Sequence, residues 1–267
     1  MKRRIMIKPV SFHIQALDAM QHYPKELYYK GNEILLHRKK VSIVGTRHPF
    51  YSTKVLTQQL AHGLSKAGIC VVSGGALGVD AIAHASAGAD NTIMVSPTGL
   101  DIIYPATNRL LIRNIQENGL VLSMFEHNFK ATPWSFVARN ELVVALSEIL
   151  IVTQADKNSG SLRSVEFALN MGKKVYVFPH RIGESEGTNM LLKNHLAEAI
   201  YDINEFIDAL VPKHKKESVI DDFLEYCKQH PLYDEAVSKY NSKVFEYELE
   251  GKIEIKQGRV IPVLHGN

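Results

Sequence analysis

Between residues 41 and 211, short apolar runs rich in β-branched residues alternate with longer stretches of helical periodicity. Most of these runs are almost uniformly apolar, which is typical of strands that helices cover on both faces of a sheet. Strands are predicted at residues 41–44, 69–72, 92–95, 120–123, 149–153 and 174–178. The alternation indicates βαβ units, so we predict an α/β fold with a mostly parallel sheet.

The stretches between these strands predict helices. They are expected at residues 52–67, 79–87, 106–118, 135–146 and 161–171. Gly68, Gly119 and Gly172 follow three of them, at the position where a residue with a left-handed backbone is favoured. We therefore expect these glycines to end the helices that precede them.

Both ends of the chain differ from this central domain at residues 41–211. Residues 1–40 are expected to form a short lead-in packed on the sheet. Residues 212–218 are polar and basic and begin with proline, which predicts an interdomain linker. Helices at residues 219–230, 233–240 and 243–249, then a hairpin of residues 252–255 and 259–263, predict a winged-helix-like domain at residues 219–267.

Charge is distributed unevenly along the chain. The 31 Lys+Arg and 28 Asp+Glu residues give a formal net charge of +3. Residues 218–267 contain 6 basic and 9 acidic residues, so this part carries −3 and the rest +6. A polyanion is expected to prefer the larger part. The C-terminal domain has glutamates where a DNA-reading module has basic residues, at Glu246, Glu248, Glu250 and Glu254, so protein contact is favoured there over DNA contact.

Composition excludes several classes of protein. The 267 residues are 45% apolar and 22% charged, which is ordinary for a globular chain, and no apolar run is long enough to span a membrane. Lys8 and Pro9 interrupt the apolar start before a signal peptide can form, so a cytoplasmic protein is expected. The two cysteines, Cys70 and Cys227, are far apart, and no H-E-x-x-H motif occurs. Neither a disulfide framework nor a metal site is predicted.

Three glycine-bearing turns lie where a predicted strand leads into a helix. They read Val44-Gly45-Thr46-Arg47, Ser73-Gly74-Gly75-Ala76-Leu77-Gly78 and Lys157-Asn158-Ser159-Gly160-Ser161. Turns with little side-chain bulk expose backbone N–H groups and the positive end of the next helix. Together at one edge of the sheet, they would form a cradle for an anion such as phosphate.

Each turn has a functional and a purely structural interpretation. Arg47 is suited to bind a phosphate, and its position at the end of the first parallel strand favours this role over the alternative, a surface ion pair. The middle turn is G-G-x-x-G rather than G-x-G-x-x-G and no Walker lysine follows, so no nucleotide cofactor is predicted. Ser159 and Ser161 offer hydroxyls at a helix start, where helix capping is the structural alternative.

Two further groups of residues have alternative roles. Asp80 and His84 lie four residues apart on one helix face, where a hydrogen-bonded pair is favoured over an acid–base pair, and Glu166 is compatible with a solvent-facing position. In the 133–140 segment, Trp134 and Phe136 lie close to Arg139. Aromatic rings interleaved with cations suit a single strand of nucleic acid, and packing in the core is the alternative.

Several separated motifs occur in the order of a known signature. They are Tyr23-Pro24, Val44-Gly45-Thr46-Arg47, the segment from Ser73 to His84, Gly99-Leu100-Asp101-Ile102-Ile103-Tyr104-Pro105 with Asn108, Arg139-Asn140 and Ser159-Gly160-Ser161. From about Tyr23 to Phe206 the chain therefore resembles the DprA/Smf DNA-processing family. The C-terminal domain has no such signature.

The resemblance implies an extended Rossmann-like domain that binds single-stranded DNA without sequence preference. It also implies protection of incoming DNA in natural transformation, loading of a RecA-type recombinase, a homodimer, and no catalytic activity or cofactor. By motif position, the implied phosphate-binding residues are Gly45, Thr46, Arg47, Ser73, Gly74, Gly75, Ser159, Gly160 and Ser161, with Arg139 and Asn140 at the rim of the pocket. Phe136, with Trp134 beside it, is suited to base stacking.

Two other functions stay open. The Gly-Gly turn and the segment from Ser159 to Glu166 also resemble Lonely-guy-type nucleotide phosphoribohydrolases, which use an arginine and a glutamate near a P-G-G-x-G-T loop. Here the loop reads Asn158-Ser159-Gly160-Ser161-Leu162-Arg163 and lacks the second glycine. The remaining alternative is an interaction scaffold in which the glycine turns are only structural.

Overall fold

The computed structural model describes residues 6–211 and 222–263. The chain divides into two compact units, Met1–Val211 and Pro212–Asn267. The linker predicted at residues 212–218 lies outside the described residues. Among the helices that the structure describes, none has both the length and the apolar character needed to cross a bilayer.

The described part of the first unit is built on a nine-stranded sheet with strand order β1-β2-β6-β5-β4-β3-β7-β8-β9. The strands are β1 Lys8–Pro9, β2 Tyr28–Gly31, β3 Lys40–Val44, β4 Cys70–Ser73, β5 Thr92–Val95, β6 Leu120–Ser123, β7 Ile149–Val152, β8 Val175–Val177 and β9 Glu198–Ala199. Strands β3 to β9 pair in parallel, and β1 and β2 form an antiparallel edge beside β6. This confirms the predicted α/β class with a mostly parallel sheet.

Helices cover both faces of this sheet. They are α1 Tyr51–Lys66, α2 Val79–Ala87, α3 Arg109–Asn118, α4 Pro133–Ala145, α5 Gly160–Asn170, α6 Glu186–Lys193 and α7 Ile203–Leu210. Successive strand residues point to opposite faces, so Val71 packs with α1, α2 and α7 while Val72 packs with α4 and α5. The predicted helices and strands of this unit begin and end within three residues of those observed.

The first 40 residues contribute more to the sheet than the predicted lead-in. They supply β1 and β2, and the two short 3-10 helices Gln15–Ala19 and Glu33–His37 pack Leu17 and Leu35 into the core. These strands have only two and four residues, too few to show a clear apolar pattern in the sequence.

One predicted glycine conformation was wrong, although the helix before it ends at Asn118 as expected. Gly68 and Gly172 have the left-handed backbone expected after a helix, but Gly119 has φ −112°. Gly119 instead lies so close to neighbouring backbone that an added Cβ would overlap the carbonyl oxygen of Ala89. Its own carbonyl accepts a hydrogen bond of 2.7 Å from the backbone N–H of Asn32. Gly119 therefore follows the last residue of α3, and close backbone packing, rather than a left-handed backbone, explains why it is a glycine.

The described part of the second unit contains three helices and a hairpin around its own small core. The elements are α8 Asp222–Cys227, α9 Tyr233–Tyr240, α10 Ser242–Leu249, β10 Ile253–Lys256 and β11 Arg259–Pro262. The two strands pair antiparallel, and Gln257 and Gly258 turn the chain with positive φ at both residues. The winged-helix assignment stays a prediction.

Strand order determines where a site can form in the first unit. From β3 the chain proceeds outward through β4, β5 and β6, and then returns to place β7 on the other side of β3. At such a reversal the connections after the two neighbouring strands diverge, which opens a crevice at their carboxyl ends. The turns after β3 and β7 border this crevice.

Candidate functional site

A cavity of about 300 Å³ lies at the carboxyl ends of β3 and β7. It brings together most of the predicted site residues, namely Gly45, Thr46, Arg47, Gly74, Arg139, Asn140, Ser159, Gly160 and Ser161. It is also lined by residues that the sequence did not single out for this site, which are Val44, Ala76, Asp80, Val143 and Ser164. Ser164 lies three residues after Ser161, so helical spacing on α5 was the available signal.

Two predicted phosphate-binding residues, Ser73 and Gly75, do not line this cavity. The Ser73 hydroxyl is buried and donates a 2.6 Å hydrogen bond to the carbonyl of Ile43 in the neighbouring strand. Gly75 has φ +73°, and a Cβ there would overlap the side chain of Met94. Both residues therefore contribute to the conformation and packing of the turn.

The turn after β3 is held by hydrogen bonds on both sides. The Thr46 N–H donates to Gln154 O at 2.8 Å, and the Val79 N–H donates to Thr46 O at 3.1 Å. Gly78 has φ +74°, and a Cβ there would lie 2.5 Å from the carbonyl oxygen of Arg47. Only glycine allows this close approach, which fixes the backbone that carries Arg47.

The Arg47 side chain is exposed and lines the cavity. Within residues 6–211 and 222–263, no carboxylate lies within ion-pair distance of its guanidinium. The surface ion pair that would have explained Arg47 is therefore not formed by the described residues. Its charge and its fork of N–H donors are available to an anion.

The first turn of α5 provides a second group of donors. Ser159 precedes the helix with an extended backbone, φ −85° and ψ 152°, and its side chain makes no capping hydrogen bond. Its buried hydroxyl oxygen has no hydrogen-bond partner among the described residues. The backbone N–H groups of a helix's first turn have no partners within the helix and form its positive end. This end of the cavity therefore suits a negatively charged oxygen.

Arg139 lies in the wall of the cavity and not at an exposed rim, where the resemblance located it. Only 5% of its surface is exposed, and its guanidinium donates to the carbonyl oxygens of Gly74 and, at 3.3 Å, Val95. A Cβ at Gly74 would overlap this guanidinium. Arg139 therefore ties α4 to the ends of β4 and β5, while Asn140 lines the cavity beside it.

Asp80 lines the same cavity, and its carboxylate accepts a hydrogen bond from one of the backbone N–H groups of the middle turn. Its carboxylate accepts a 3.2 Å hydrogen bond from the N–H of Ala76. Burial raises the pKa of the Asp80 carboxyl, and the positive charge of Arg139 opposes that rise. Because this carboxylate binds an N–H of the middle turn, the exposed donors of the site are concentrated at Arg47 and at the start of α5.

The expected hydrogen-bonded pair of Asp80 and His84 is not formed, because the two side chains bond to different partners. His84 Nδ1 lies 2.7 Å from the hydroxyl of Thr92. Burial, together with the nearby charge of Arg139, lowers the pKa of His84 to about 3, so its ring is neutral near pH 7. Glu166 faces solvent in an ion pair of 3.0 Å with Arg163 and does not line the cavity.

A smaller, apolar cavity of about 80 Å³ adjoins the first and shares Arg47, Gly74, Ala76 and Arg139 with it. Phe136 and Tyr104 line it with their rings edge to face at 5.6 Å between centroids. Sequence reasoning selected Phe136 but gave no role to Tyr104, which lies in one of the motifs of the resemblance. The pair offers an apolar surface beside the polar cavity.

Trp134 is 58% exposed but lies in a different aromatic cluster. Its ring packs edge-on against Phe125 and Phe129, with centroid distances of 5.4 and 5.8 Å. It lines neither cavity. The two aromatic residues predicted together are therefore separated, and Phe136 is the one beside the polar cavity.

Comparison with known proteins gives a consistent result. A family model described as DNA recombination-mediator protein A matches residues 6–211. Protein Smf of Synechocystis is 36% identical over 197 residues, which are 70% of this chain and 49% of that protein. DNA processing protein DprA of Streptococcus pneumoniae is 36% identical over 181 residues, which are 66% of this chain and 64% of that protein. The matched part thus spans about half of the first relative and under two thirds of the second.

Two solved structures are similar over about four fifths of the chain. One concerns the single-stranded DNA binding mode of DNA processing protein A from Helicobacter pylori, with a TM-score of 0.76, 44% identity, and coverage of 79% of this chain and 98% of that one. The other is the X-ray structure of DprA from Streptococcus pneumoniae, with a TM-score of 0.71 and 30% identity. The match covers 80% of this chain and 76% of that one.

Proposed function

The chain belongs to the DNA recombination-mediator protein A (DprA/Smf) family, and from that membership we propose that it binds single-stranded DNA without sequence preference. The observation that carries the proposal is one cavity that joins the Arg47 side chain to the start of α5. In it, the guanidinium and the N–H groups near Ser159 hold a backbone phosphate. These contacts recognise the backbone, which carries no sequence information.

The adjoining apolar cavity supports a polymer rather than a small anion as the ligand. Phe136 and Tyr104 present ring surface next to the phosphate cavity, where a base attached to the bound phosphate can stack. Stacking on aromatic rings tolerates any base, because every base has a π-face. A phosphate site beside an aromatic site therefore fits a strand of mixed sequence.

The biological role follows from the family rather than from the cavity alone. We infer that the bound strand is incoming DNA in natural transformation, that the protein protects it, and that a RecA-type recombinase receives it. A homodimer is part of the same proposal. The activity is binding and delivery, without a catalytic step. A protein contact is the role proposed for the second unit, where Glu246, Glu248, Glu250 and Glu254 are all exposed.

The phosphate site is tested by Arg47→Ala. Losing a charge-assisted contact of this kind costs about 1.5–3 kcal/mol, so affinity should fall by roughly 10- to 100-fold on every oligonucleotide alike. The slope of log K against log salt should also become shallower by about 0.7. Fluorescence anisotropy with labelled oligo-dT and a mixed-sequence strand, each at two salt concentrations, measures both effects.

Arg113→Ala is the matched control, because it removes an exposed arginine from the first unit that does not line the cavity. It should leave affinity and salt slope almost unchanged. Unaltered binding of the Arg47→Ala variant at moderate salt would contradict the assigned phosphate site. A strong preference for one base sequence would contradict recognition through the backbone.

A further inference from the structure

A third cavity, of about 580 Å³, also includes Arg47 in its lining. Part of it comes from the segment that joins β3 to α1 and from the first turn of α1, through His48, Pro49 and Lys54. The rest comes from residues near the start of α2 and from Asn108. Since Arg47 lines all three cavities, they form a continuous surface around this one side chain.

The third cavity carries positive charge that the described residues do not balance. Arg47, His48 and Lys54 are exposed, and no aspartate or glutamate lines the cavity. In the part of the chain that the structure describes, no carboxylate lies within ion-pair distance of Lys54. Lys54 and Arg47 line the same cavity without a carboxylate partner among the described residues, and a bound anion would stabilise these two positive charges.

The position of Lys54 in the first turn of α1 also favours a bound anion beside it. Lys54 is the fourth residue of the helix, and its N–H makes the helix's first backbone hydrogen bond, 2.9 Å to Phe50 O. The first turn contains no acidic residue. Cations are unfavourable near the positive end of a helix, where aspartate and glutamate are preferred. A lysine here opposes local helix stability, as is common where function selects the residue.

An exposed aromatic ring lies beside this lysine. Tyr51 is 81% exposed and precedes Lys54 by three residues, so the two are neighbours on the surface of α1. A ring that water surrounds, next to an unpaired cation, is the combination that single-strand-binding surfaces use for a base and its phosphate. Hydrophobic packing does not explain Tyr51, because most of its surface contacts solvent.

We propose that the third cavity is a second phosphate subsite for the same strand. DNA that places one phosphate in the first cavity passes Arg47 and places a neighbouring phosphate beside Lys54 and His48, while Tyr51 stacks on a base. This inference rests on the proposed binding of single-stranded DNA. It gives the strand a path across the surface, from the start of α5 past the turn after β3 to the start of α1.

The test uses the full chain and a series of labelled oligo-dT strands of increasing length. On long strands, Lys54→Ala should weaken binding roughly three- to tenfold and make the salt slope shallower by about 0.7. On the shortest strands that bind, which fill only the first cavity, it should have little effect. Lys54→Arg, which keeps the charge, should restore binding. Tyr51→Ala should weaken binding to long strands without changing the salt slope.

Matched controls come from the same unit. Lys66→Ala removes an exposed lysine from the last turn of the same helix, and Tyr201→Ala removes a tyrosine that is similarly exposed. Neither should change affinity. If Lys54→Ala binds long strands like the wild type, the second subsite is wrong while the first site stands. An equal loss on all strand lengths also overturns it, because Lys54 would then act at the first cavity. If the wild type binds no strand, both proposals fail.

Discussion

Gly74 links the glycine turn to the buried Arg139 in the wall of the proposed phosphate cavity. Its carbonyl accepts from the Arg139 guanidinium, and a Cβ at this position would overlap that group. Gly74→Ala should displace Arg139 from its carbonyl partners and destabilise the fold by about 2–4 kcal/mol. Urea unfolding followed by circular dichroism measures the change.

Gly160 provides the matched control, since it lines the same cavity and has open space where a Cβ would be added. Gly160→Ala should alter the free energy of unfolding by less than about 1 kcal/mol, because alanine favours the first turn of a helix. Equal stability of the two variants would show that Arg139 can move without loss of stability, contrary to its burial and hydrogen bonding. Both glycines were predicted as site residues from the sequence. Only the fold shows that Gly74 packs against Arg139 while Gly160 has open space beside it.

At the level of elements, local patterns predicted the pieces of the site and not their arrangement. The limits of β5 and β6 were predicted to the residue, because the apolar run in each is short and is bounded by glycine or polar residues. The strand β9 was not predicted because it has only two residues, and helices α6 and α7 were not predicted either. That β3 and β7 are neighbours depends on the strand order of the whole sheet. Hence local patterns alone could not determine which turns share a cavity, and it was the family resemblance that grouped them.

The helix that carries Phe136, Arg139 and Asn140 is held at its far end by one lysine. Lys173 Nζ donates to the carbonyl oxygens of Val144, Ala145 and Ser147 at 2.9, 2.7 and 2.6 Å. These carbonyls lie at the C-terminal end of α4, where the last turn has no partners within the helix. A cation there also interacts favourably with the negative end of the helix. Lys173→Ala should therefore cost about 1–3 kcal/mol of unfolding free energy in urea titrations.

Lys174→Ala is the control for that variant. Lys174 Nζ pairs with Glu198 at 3.1 Å on the surface, and both side chains are exposed. Exposed ion pairs contribute at most about 1 kcal/mol, so this change should be nearly neutral. A smaller loss for Lys173→Ala than for Lys174→Ala would mean that α4 does not need this contact.

At the scale of the whole molecule, the net positive charge and the candidate site lie in the same unit. All three cavities are lined by residues of Met1–Val211, which contains its own apolar core. The second unit, Pro212–Asn267, contains 9 basic and 10 acidic residues, so its net charge of −1 offers a phosphate backbone no net attraction. If the chain binds single-stranded DNA as proposed, the first unit should hold the strand, and the second should contribute little electrostatic attraction to it.

A chain that ends at residue 211 should therefore bind single-stranded DNA as the full chain does. We expect the binding free energies to agree within about 0.5 kcal/mol, a roughly twofold range in Kd, and the salt slopes to coincide, because no phosphate contact is removed. Anisotropy titrations of both chains with one long oligo-dT measure this, and residues 212–267 alone should not bind. A tenfold weaker affinity of the shortened chain would show that the second unit lies on the path of the DNA despite its acidic surface.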